Sequence, residues 1–274
     1  MNVPIQSIFR YDSTNAGDYF SPPFRYVNLG SSRFEDISHL NNVASLAPNL
    51  VIGGGGLLGS RTFDPHFKRI FERRYQTVVG WGLGDNARIN PVSGYVKKSK
   101  CNYPSYIDRF DLLGVRDYGT NYPWVPCASC LHPLFQKHWQ AENEIVVYEH
   151  KRVPISIDCF PKMSNGTNDL AKILRFIGSA RVVVTNSYHG AYWGQLFGKA
   201  VLVFPFGSKF YHFKHKITLC KPADWKKGLD RVEEQPPALA ECIEANLGFW
   251  QLVHKLFALP PSYLTHKSKI KLQG

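Results

Sequence analysis

The 274-residue chain has no apolar run long enough to cross a bilayer, and it lacks the marks of a secretory signal. A membrane-spanning helix needs about 20 predominantly apolar residues. The start of the chain has no basic segment, no apolar central stretch and no small-residue cleavage site. We therefore expect no transmembrane segment and a cytoplasmic protein.

The chain also lacks a complete cysteine–histidine set for a structural metal. Cys127 and Cys130 have CxxC spacing and His132 follows them, but no second CxxC or HxxxH pair exists. A structural zinc needs four such ligands. We predict no metal and reduced thiols, and the CxxC pair has no assigned role. A metal or redox function of this pair is the alternative.

Neither nucleotide-binding glycine fingerprint is present. The run Gly53-Gly54-Gly55-Gly56 follows an apolar strand, but no Walker lysine comes after it and no GxGxxG register fits. The segment 80–84 is also outside both patterns. We interpret both as loops where the backbone approaches a ligand and offers N–H groups to an anion. A tight turn required by helix–sheet packing is the alternative.

Acidic residues are few compared with basic ones. There are 33 lysines and arginines against 21 aspartates and glutamates, so the formal net charge is +12. Such a surface suits nucleic acid, phosphate-bearing substrates or the inner membrane leaflet. The basic residues do not cluster and no nucleic-acid motif is present, so we expect no specific nucleic acid. The lysines of the tail, residues 265–274, are expected to be solvated.

The pattern along the chain alternates short apolar strands with amphipathic helices. Strands are expected at 50–52, 77–79, 111–115, 145–148, 181–185 and 200–204, and helices near 64–71, 170–177 and 191–197. Such alternation is typical of βαβ units with parallel sheets. The polar segment 134–144 is expected to form a surface helix and linker, dividing the chain into halves 1–140 and 141–274.

The segment 182–194 is the most informative for function. A β-branched strand ends in Asn186, Ser187, Tyr188 and His189, and a short helix follows. Ligands of open α/β sheets bind outside the carboxyl ends of the strands. His189 is therefore placed where chemistry is expected; a helix-capping role in a packed polar turn is the alternative.

Further polar residues follow other predicted strands or open the first unit. They are Asn15 and Asp18 near the start, Arg116-Asp117, His150-Lys151 and Lys209. Arginine offers a planar fork to a carboxylate or phosphate. Because parallel strands end at one edge of a sheet, we expect these basic side chains to lie together in one electropositive cleft.

In combination these motifs resemble the polysaccharide pyruvyl transferase family. The matching segments are 15–18, 53–58, 80–84, 115–117 and 185–190, within roughly residues 12–210. The resemblance implies an α/β fold of two Rossmann-like halves, glycosyltransferase-B-like, with a ligand cleft between them. It implies transfer of pyruvyl from phosphoenolpyruvate, the donor substrate, onto a sugar of a cell-surface polysaccharide or its lipid-linked precursor at the inner membrane face. Phosphate is released, and no cofactor or metal is implied.

Two positions depart from that family. Ser187 stands where many members carry an arginine, although another branch has serine there. Residues 126–130 replace an Asp-Pro segment. Ser187 removes a contact with the donor substrate that is attributed to the arginine in the family. The sequence assigns no function to residues 126–130.

The expected roles combine the resemblance with the chemistry of the residues. For catalysis we expect His189 first and His150 second as general acid or base, with Asp18 orienting a histidine or binding sugar. The expected donor-binding residues are Gly53, Gly54, Gly55, Gly56, Arg116, Lys151, Ser187 and Lys209. The expected acceptor-binding residues are Asn15, Trp81, Asp117, Asn186 and Tyr188.

Other functions remain open on the sequence alone. A nucleotide-sugar-dependent glycosyltransferase would use the same architecture. A non-catalytic glycan- or nucleic-acid-binding protein is a further alternative. The expected partner is a saccharide acceptor, and the sequence makes no prediction of oligomeric state.

Overall fold

A computed structural model describes residues 4–42, 46–73, 75, 77–98 and 100–260. The strands are β1 (Ile5–Phe9), β2 (Ser31–Asp36), β3 (Asn49–Leu58), β4 (Thr77–Asp85), β5 (Leu112–Val115), β6 (Asn143–Glu149), β7 (Lys162–Ser164), β8 (Ala180–Thr185), β9 (Ala200–Val203) and β10 (Thr218–Leu219). The α-helices are α1 (Ala16–Phe20), α2 (Asp64–Glu72), α3 (Leu170–Gly178), α4 (Tyr188–Leu196), α5 (Trp225–Leu229) and α6 (Leu239–Leu256). Within these ranges no helix is long and apolar enough to cross a membrane.

The first half is built on a five-stranded sheet in the order β2-β1-β3-β4-β5. All of its strand pairs are parallel. Helix α2 places Phe67, Ile70 and Phe71 on one face of this sheet, where they join the side chains of Ile8 and Ile52 in a buried cluster. Their i, i+3, i+4 spacing is the helical pattern that the sequence shows.

The second half repeats the architecture with the strand order β10-β9-β8-β6-β7, again parallel throughout. Helix α3 buries Leu170, Ile173, Leu174 and Ile177, which confirms the periodicity of that segment. The prediction of an α/β fold with two Rossmann-like halves is confirmed.

The two glycine-rich segments differ from the expected loops. Both lie inside strands, because β3 continues to Leu58 and β4 to Asp85. A Cβ atom on Gly53 would lie 2.4 Å from Pro23 Cδ, and one on Gly54 would lie 2.5 Å from Ser21 Cβ. Gly54 also has a φ of +83°, in the left-handed region. The glycines therefore let the segment after α1 pack directly onto the sheet.

The two halves share a buried core, and the C-terminal helix contributes to it. Trp81 Nε1 in β4 donates a hydrogen bond to Asn246 Oδ1 in α6 at 2.9 Å, and the Trp81 and Phe249 rings are 5.1 Å apart. Helix α6 thus packs against the first half. The division of the chain at residue 140 stays a prediction, and the basic tail, residues 265–274, lies outside the described residues.

Candidate functional site

A cleft of about 490 Å³ lies where the carboxyl ends of the two sheets meet. Its walls include residues just beyond the ends of strands in both halves. From the first half they include Arg10, Ser38, Asn86 and Arg116, and from the second half His150, Asn165, Ser187 and Phe206. Parallel strands bring these positions together, which is where open α/β sheets bind ligands.

Ten residues that the sequence analysis singled out line this cleft. They are Asn15, Asp18, Gly56, Arg116, His150, Lys151, Ser187, Tyr188, His189 and Lys209. Segments far apart in sequence thus contribute to one cavity, as expected from their positions after strands.

His189 is held at the junction of the halves. It is the second residue of α4, whose N-cap Ser187 accepts a hydrogen bond from Gly190 N. The imidazole is 6% exposed, and its Nε2 lies 3.2 Å from Ser21 Oγ and 3.4 Å from Cys127 Sγ. One histidine of the second half therefore contacts two polar side chains of the first.

The hydrogen bonds around His189 assign its tautomer. Ser21 Oγ donates to Gly17 O at 2.5 Å, which leaves the Ser21 oxygen to accept from His189 Nε2–H. In the described chain no hydrogen bond reaches Nδ1. Burial, followed by the charges of Arg116 and Lys209, lowers the pKa of His189 well below its usual value. The ring is therefore neutral near pH 7, and its Nδ1 faces Gly17.

Gly17 makes room for that ring. A Cβ atom on Gly17 would lie 2.1 Å from His189 Nδ1 and 2.8 Å from Cε1. The early Asn-x-Gly-Asp segment, residues 15–18, thus packs directly against the His-Gly segment, residues 189–190. Sequence reasoning gave Gly17 no role.

Arg116 is the most enclosed cation of the cleft. Its guanidinium carbon lies 3.7 Å from the centroid of the Tyr188 ring, and Nε is buried with no hydrogen-bond partner. Gly56 and Gly84 leave the space it occupies, because a Cβ on either would lie within 2.8 Å of the guanidinium group. Within the described residues no carboxylate forms an ion pair with it, so its fork is open to a ligand.

Lys209 and Asp18 complete the charged floor of the cleft. Lys209 Nζ lies 5.1 Å from the Phe206 ring, and burial together with Arg116 lowers its pKa to about 8. Asp18 Oδ2 accepts a hydrogen bond from Asn15 Nδ2 at 2.9 Å, and burial raises the Asp18 pKa. Burial thus favours the neutral form of both side chains, whereas a bound anion would favour the protonated form of both.

Lys151 and His150 have partners of their own. Lys151 Nζ forms an ion pair with Asp12 Oδ2 at 2.9 Å and donates to Thr14, so it links the halves. His150 Nδ1 accepts a hydrogen bond from Arg152 N. Burial, then Lys209, lowers the His150 pKa to about 4. His150 is therefore neutral at pH 7 and remains a second candidate base through Nε2.

Six predicted site residues lie outside the cleft lining: Gly53, Gly54, Gly55, Trp81, Asp117 and Asn186. Asp117 accepts hydrogen bonds from Asp85 N and from Tyr103 Oη. Asn186 accepts from His150 N and donates to Val153 O. Trp81 is buried in the core against α6. Asp117 and Asn186 thus support the backbone of the cleft walls, while Trp81 belongs to the core.

Sequence reasoning also missed several cleft residues and their neighbours. Arg10, Asp12 and Asn86 line the cavity without belonging to a recognised motif. Cys127 was noted only for its CxxC spacing, yet its thiol contacts His189. Cys130 Sγ instead accepts a hydrogen bond from Asn246 Nδ2, so the two thiols have separate environments.

No metal-binding arrangement is found in the described part of the chain. It contains no group of three or more His, Cys, Asp or Glu side chains positioned to hold a metal ion. Activity without a metal stays a prediction.

Comparisons with known proteins add a distant likeness in fold. No family model matches the chain, and no curated protein matches it either. Among solved structures, the chain is similar to the wall teichoic acid polymerase TagF, with 8% sequence identity and a TM-score of 0.41. The similarity covers 94% of this chain and 90% of that chain. Likeness at this level carries no functional argument.

Proposed function

We propose that the chain transfers the pyruvyl group of phosphoenolpyruvate to a saccharide acceptor and releases phosphate. One observation carries the proposal. Arg116 and Lys209, with no ion pairs to acids in the described residues, line the same cleft as Asp18 and as the neutral His189. The donor is a small multiply charged anion, and this cleft supplies both its charge partners and acid–base groups.

Arg116 and Lys209 are the proposed donor-binding cations. A guanidinium fork suits a carboxylate or phosphate, and a lysine adds a point charge. A bound anion would favour the protonated form of Lys209, whose pKa burial lowers to about 8. Ser187 serves as the cap of α4, whose N-terminus also favours an anion.

Asp18 and His189 are the proposed acid and base. The pKa of Asp18 is raised and that of His189 is lowered, and such opposite shifts are typical of an acid–base pair. His189 accepts the proton of an acceptor hydroxyl while the hydroxyl oxygen bonds to the enol carbon. Asp18 donates its proton to the methylene carbon, which becomes the methyl group. A second hydroxyl then gives its proton to the Asp18 carboxylate and displaces phosphate to close a cyclic ketal, and the released phosphate takes up the proton held by His189.

Protection against heat tests the donor. Phosphoenolpyruvate at about 100 times its Kd adds roughly 2.7 kcal/mol of stability by mass action. For a chain of this length that raises Tm by roughly 5–10 °C. Lys209→Met should abolish most of the protection, whereas Lys98→Met, an exposed lysine outside the cleft, should keep it. Protection by uridine-diphosphate sugars and none by phosphoenolpyruvate would favour a nucleotide-sugar-dependent glycosyltransferase.

A further inference from the structure

The two lysines among the residues that line the cleft, Lys151 and Lys209, differ in their partners. Lys151 Nζ lies 2.9 Å from Asp12 Oδ2 and also donates hydrogen bonds to the backbone and hydroxyl oxygens of Thr14. Within the described residues no oxygen accepts a hydrogen bond from Lys209 Nζ, and no carboxylate forms an ion pair with it. The contacts therefore hold Lys151 as an ammonium ion and leave Lys209 without such support.

Apolar rings and a second cation surround the Lys209 amine. Its Nζ lies 5.1 Å from the centroid of the Phe206 ring and 5.4 Å from that of the Phe210 ring. These distances approach the limit of about 6 Å for cation–π attraction, so the rings exclude water without strongly favouring the charge. Arg116 is the neighbouring charge that acts most strongly on Lys209. Desolvation and a nearby like charge both favour a neutral, nucleophilic lysine amine.

The backbone of Lys209 is fixed between the two halves. The residue follows β9 and lies in a short 3-10 helix, Ser208–Phe210. Ser208 N donates to Arg88 O at 2.9 Å, and Arg88 N donates to Ser208 Oγ at 3.2 Å. Gly207 forms a β-bridge with the residue after Arg88. A nucleophile must be held close to its target, and these contacts fix the point from which the side chain enters the cleft.

Asp18 supplies an acid in the same cleft. Its Oδ2 accepts a hydrogen bond from Asn15 Nδ2, while Oδ1 accepts none in the part of the chain that the structure describes. Burial raises the pKa of Asp18, and Lys209 is the neighbouring charge that acts most strongly on it. Asp18 can therefore hold a proton near an amine in its neutral form.

Arg116 supplies a partner for a carboxylate. Its guanidinium carbon lies 3.7 Å from the centroid of the Tyr188 ring, and no described carboxylate forms an ion pair with it. The planar fork of an arginine binds a carboxylate through two parallel hydrogen bonds. A ligand that carries a carbonyl beside a carboxylate offers one group to Arg116 and the other to Lys209.

We propose that Lys209 forms an imine with a 2-oxo acid whose carboxylate binds Arg116. The Nζ lone pair forms a bond to the carbonyl carbon, and one amine proton moves to the carbonyl oxygen. Asp18 gives its proton to the resulting hydroxyl, which leaves as water while the nitrogen lone pair completes the C=N bond. The product is a protonated imine beside the Asp18 carboxylate. This activity goes beyond the proposed function, because it needs neither phosphoenolpyruvate nor a saccharide.

Reductive trapping tests the imine. The protein is incubated with pyruvate and sodium cyanoborohydride, which converts an imine into a stable carboxyethyl group, and the labelled lysines are mapped by peptide mass spectrometry. An amine with a pKa of about 8 has roughly a hundredfold more of its neutral form near pH 7 than an ordinary lysine. We therefore expect Lys209 to carry roughly ten times the label of Lys151 or of the exposed Lys98, or more. Equal labelling of the three lysines, or none on Lys209, overturns the inference.

Matched controls separate the imine from unspecific labelling. Lactate has the carboxylate and carbon skeleton of pyruvate without the carbonyl, and it should leave no label. Lys209→Arg keeps a cation in the cleft but offers no nucleophilic amine, so the label in the cleft should disappear. Label that moves to Lys151 in this variant overturns the assignment to one lysine. The methyl ester of pyruvate lacks the charge that Arg116 binds, so pyruvate should reach half-maximal labelling at a roughly tenfold lower concentration.

The trapping result is independent of pyruvyl transfer. Label on Lys209 in a protein that releases no phosphate from phosphoenolpyruvate supports the inference and refutes the proposed function alone. Phosphate release by a protein that takes no label on Lys209 supports the proposed function and overturns the inference.

Discussion

Replacing Gly17 with alanine tests the contact that joins the two halves at His189. The new Cβ would lie 2.1 Å from His189 Nδ1, a separation that atoms do not tolerate. The ring has little room to move, because Nε2 contacts Ser21 and Cys127 and the Trp193 ring lies 5.2 Å away. Either the histidine or α1 must shift.

The expected magnitude follows from two opposing effects. Overpacking of a buried contact costs typically 1–3 kcal/mol. Alanine in place of a helical glycine contributes up to about 1 kcal/mol of stability, less in a helix as short as α1. The free energy of unfolding should therefore fall by about 1–2 kcal/mol, which lowers Tm by roughly 2–8 °C.

Gly248→Ala is the matched control for Gly17→Ala. Gly248 is an exposed helical glycine in α6, and a Cβ there would meet no atom within 4 Å. It should raise stability by roughly 0.5–1 kcal/mol. Thermal unfolding followed by circular dichroism measures both. If Gly17→Ala is as stable as the wild type or more so, the described packing of His189 on α1 is refuted.

Two further predictions concern histidines. His189→Gln, which keeps a hydrogen bond to Ser21 within reach, should lower kcat for phosphate release by roughly a hundred- to ten-thousandfold; near-normal turnover in a folded variant would transfer the role of base to His150. Acid should destabilise the protein, because burial lowers the pKa of His132 to about 4 while the unfolded histidine titrates near 6.5. The unfolded state then binds more protons below pH 6.5, so the stability that the neutral His132 provides is lost as pH falls toward 4, by up to about 3 kcal/mol. Urea titrations should show a smaller loss in His132→Gln, and an equal loss would contradict the assignment.

The fold could be predicted from the sequence because the strongest local patterns agree with the tertiary structure. The helical spacing of Leu170, Ile173, Leu174 and Ile177 and the β-branched strand that precedes His189 both lie where the pattern placed them. It was harder to predict that the strands continue through the glycine runs. Glycine lowers strand propensity, and only the packing of Ser21 and Pro23 on Gly53 and Gly54 explains why β3 continues through them.

The sequence predicted where the candidate site lies, but it did not predict which side chains face the cleft. Positions after parallel strands lie at one edge by topology, which placed Arg116, His150 and His189 in one cleft. Strand topology does not predict the direction in which each side chain points. Asp117 follows Arg116 directly yet turns inward to Tyr103, and Asn186 turns to the backbone of His150. The contact of Cys127 with His189 joins residues 62 positions apart and leaves no local signal.

Release of phosphate from phosphoenolpyruvate tests the central claim most directly. The purified protein is incubated with phosphoenolpyruvate and a panel of glycosides and glycosyl phosphates, and phosphate and acceptor mass are followed together. We expect acceptor-dependent release with one pyruvyl group gained per phosphate, lost in His189→Gln and Lys209→Met. No release with any acceptor, in a protein that transfers sugar from a nucleotide sugar instead, would contradict the account.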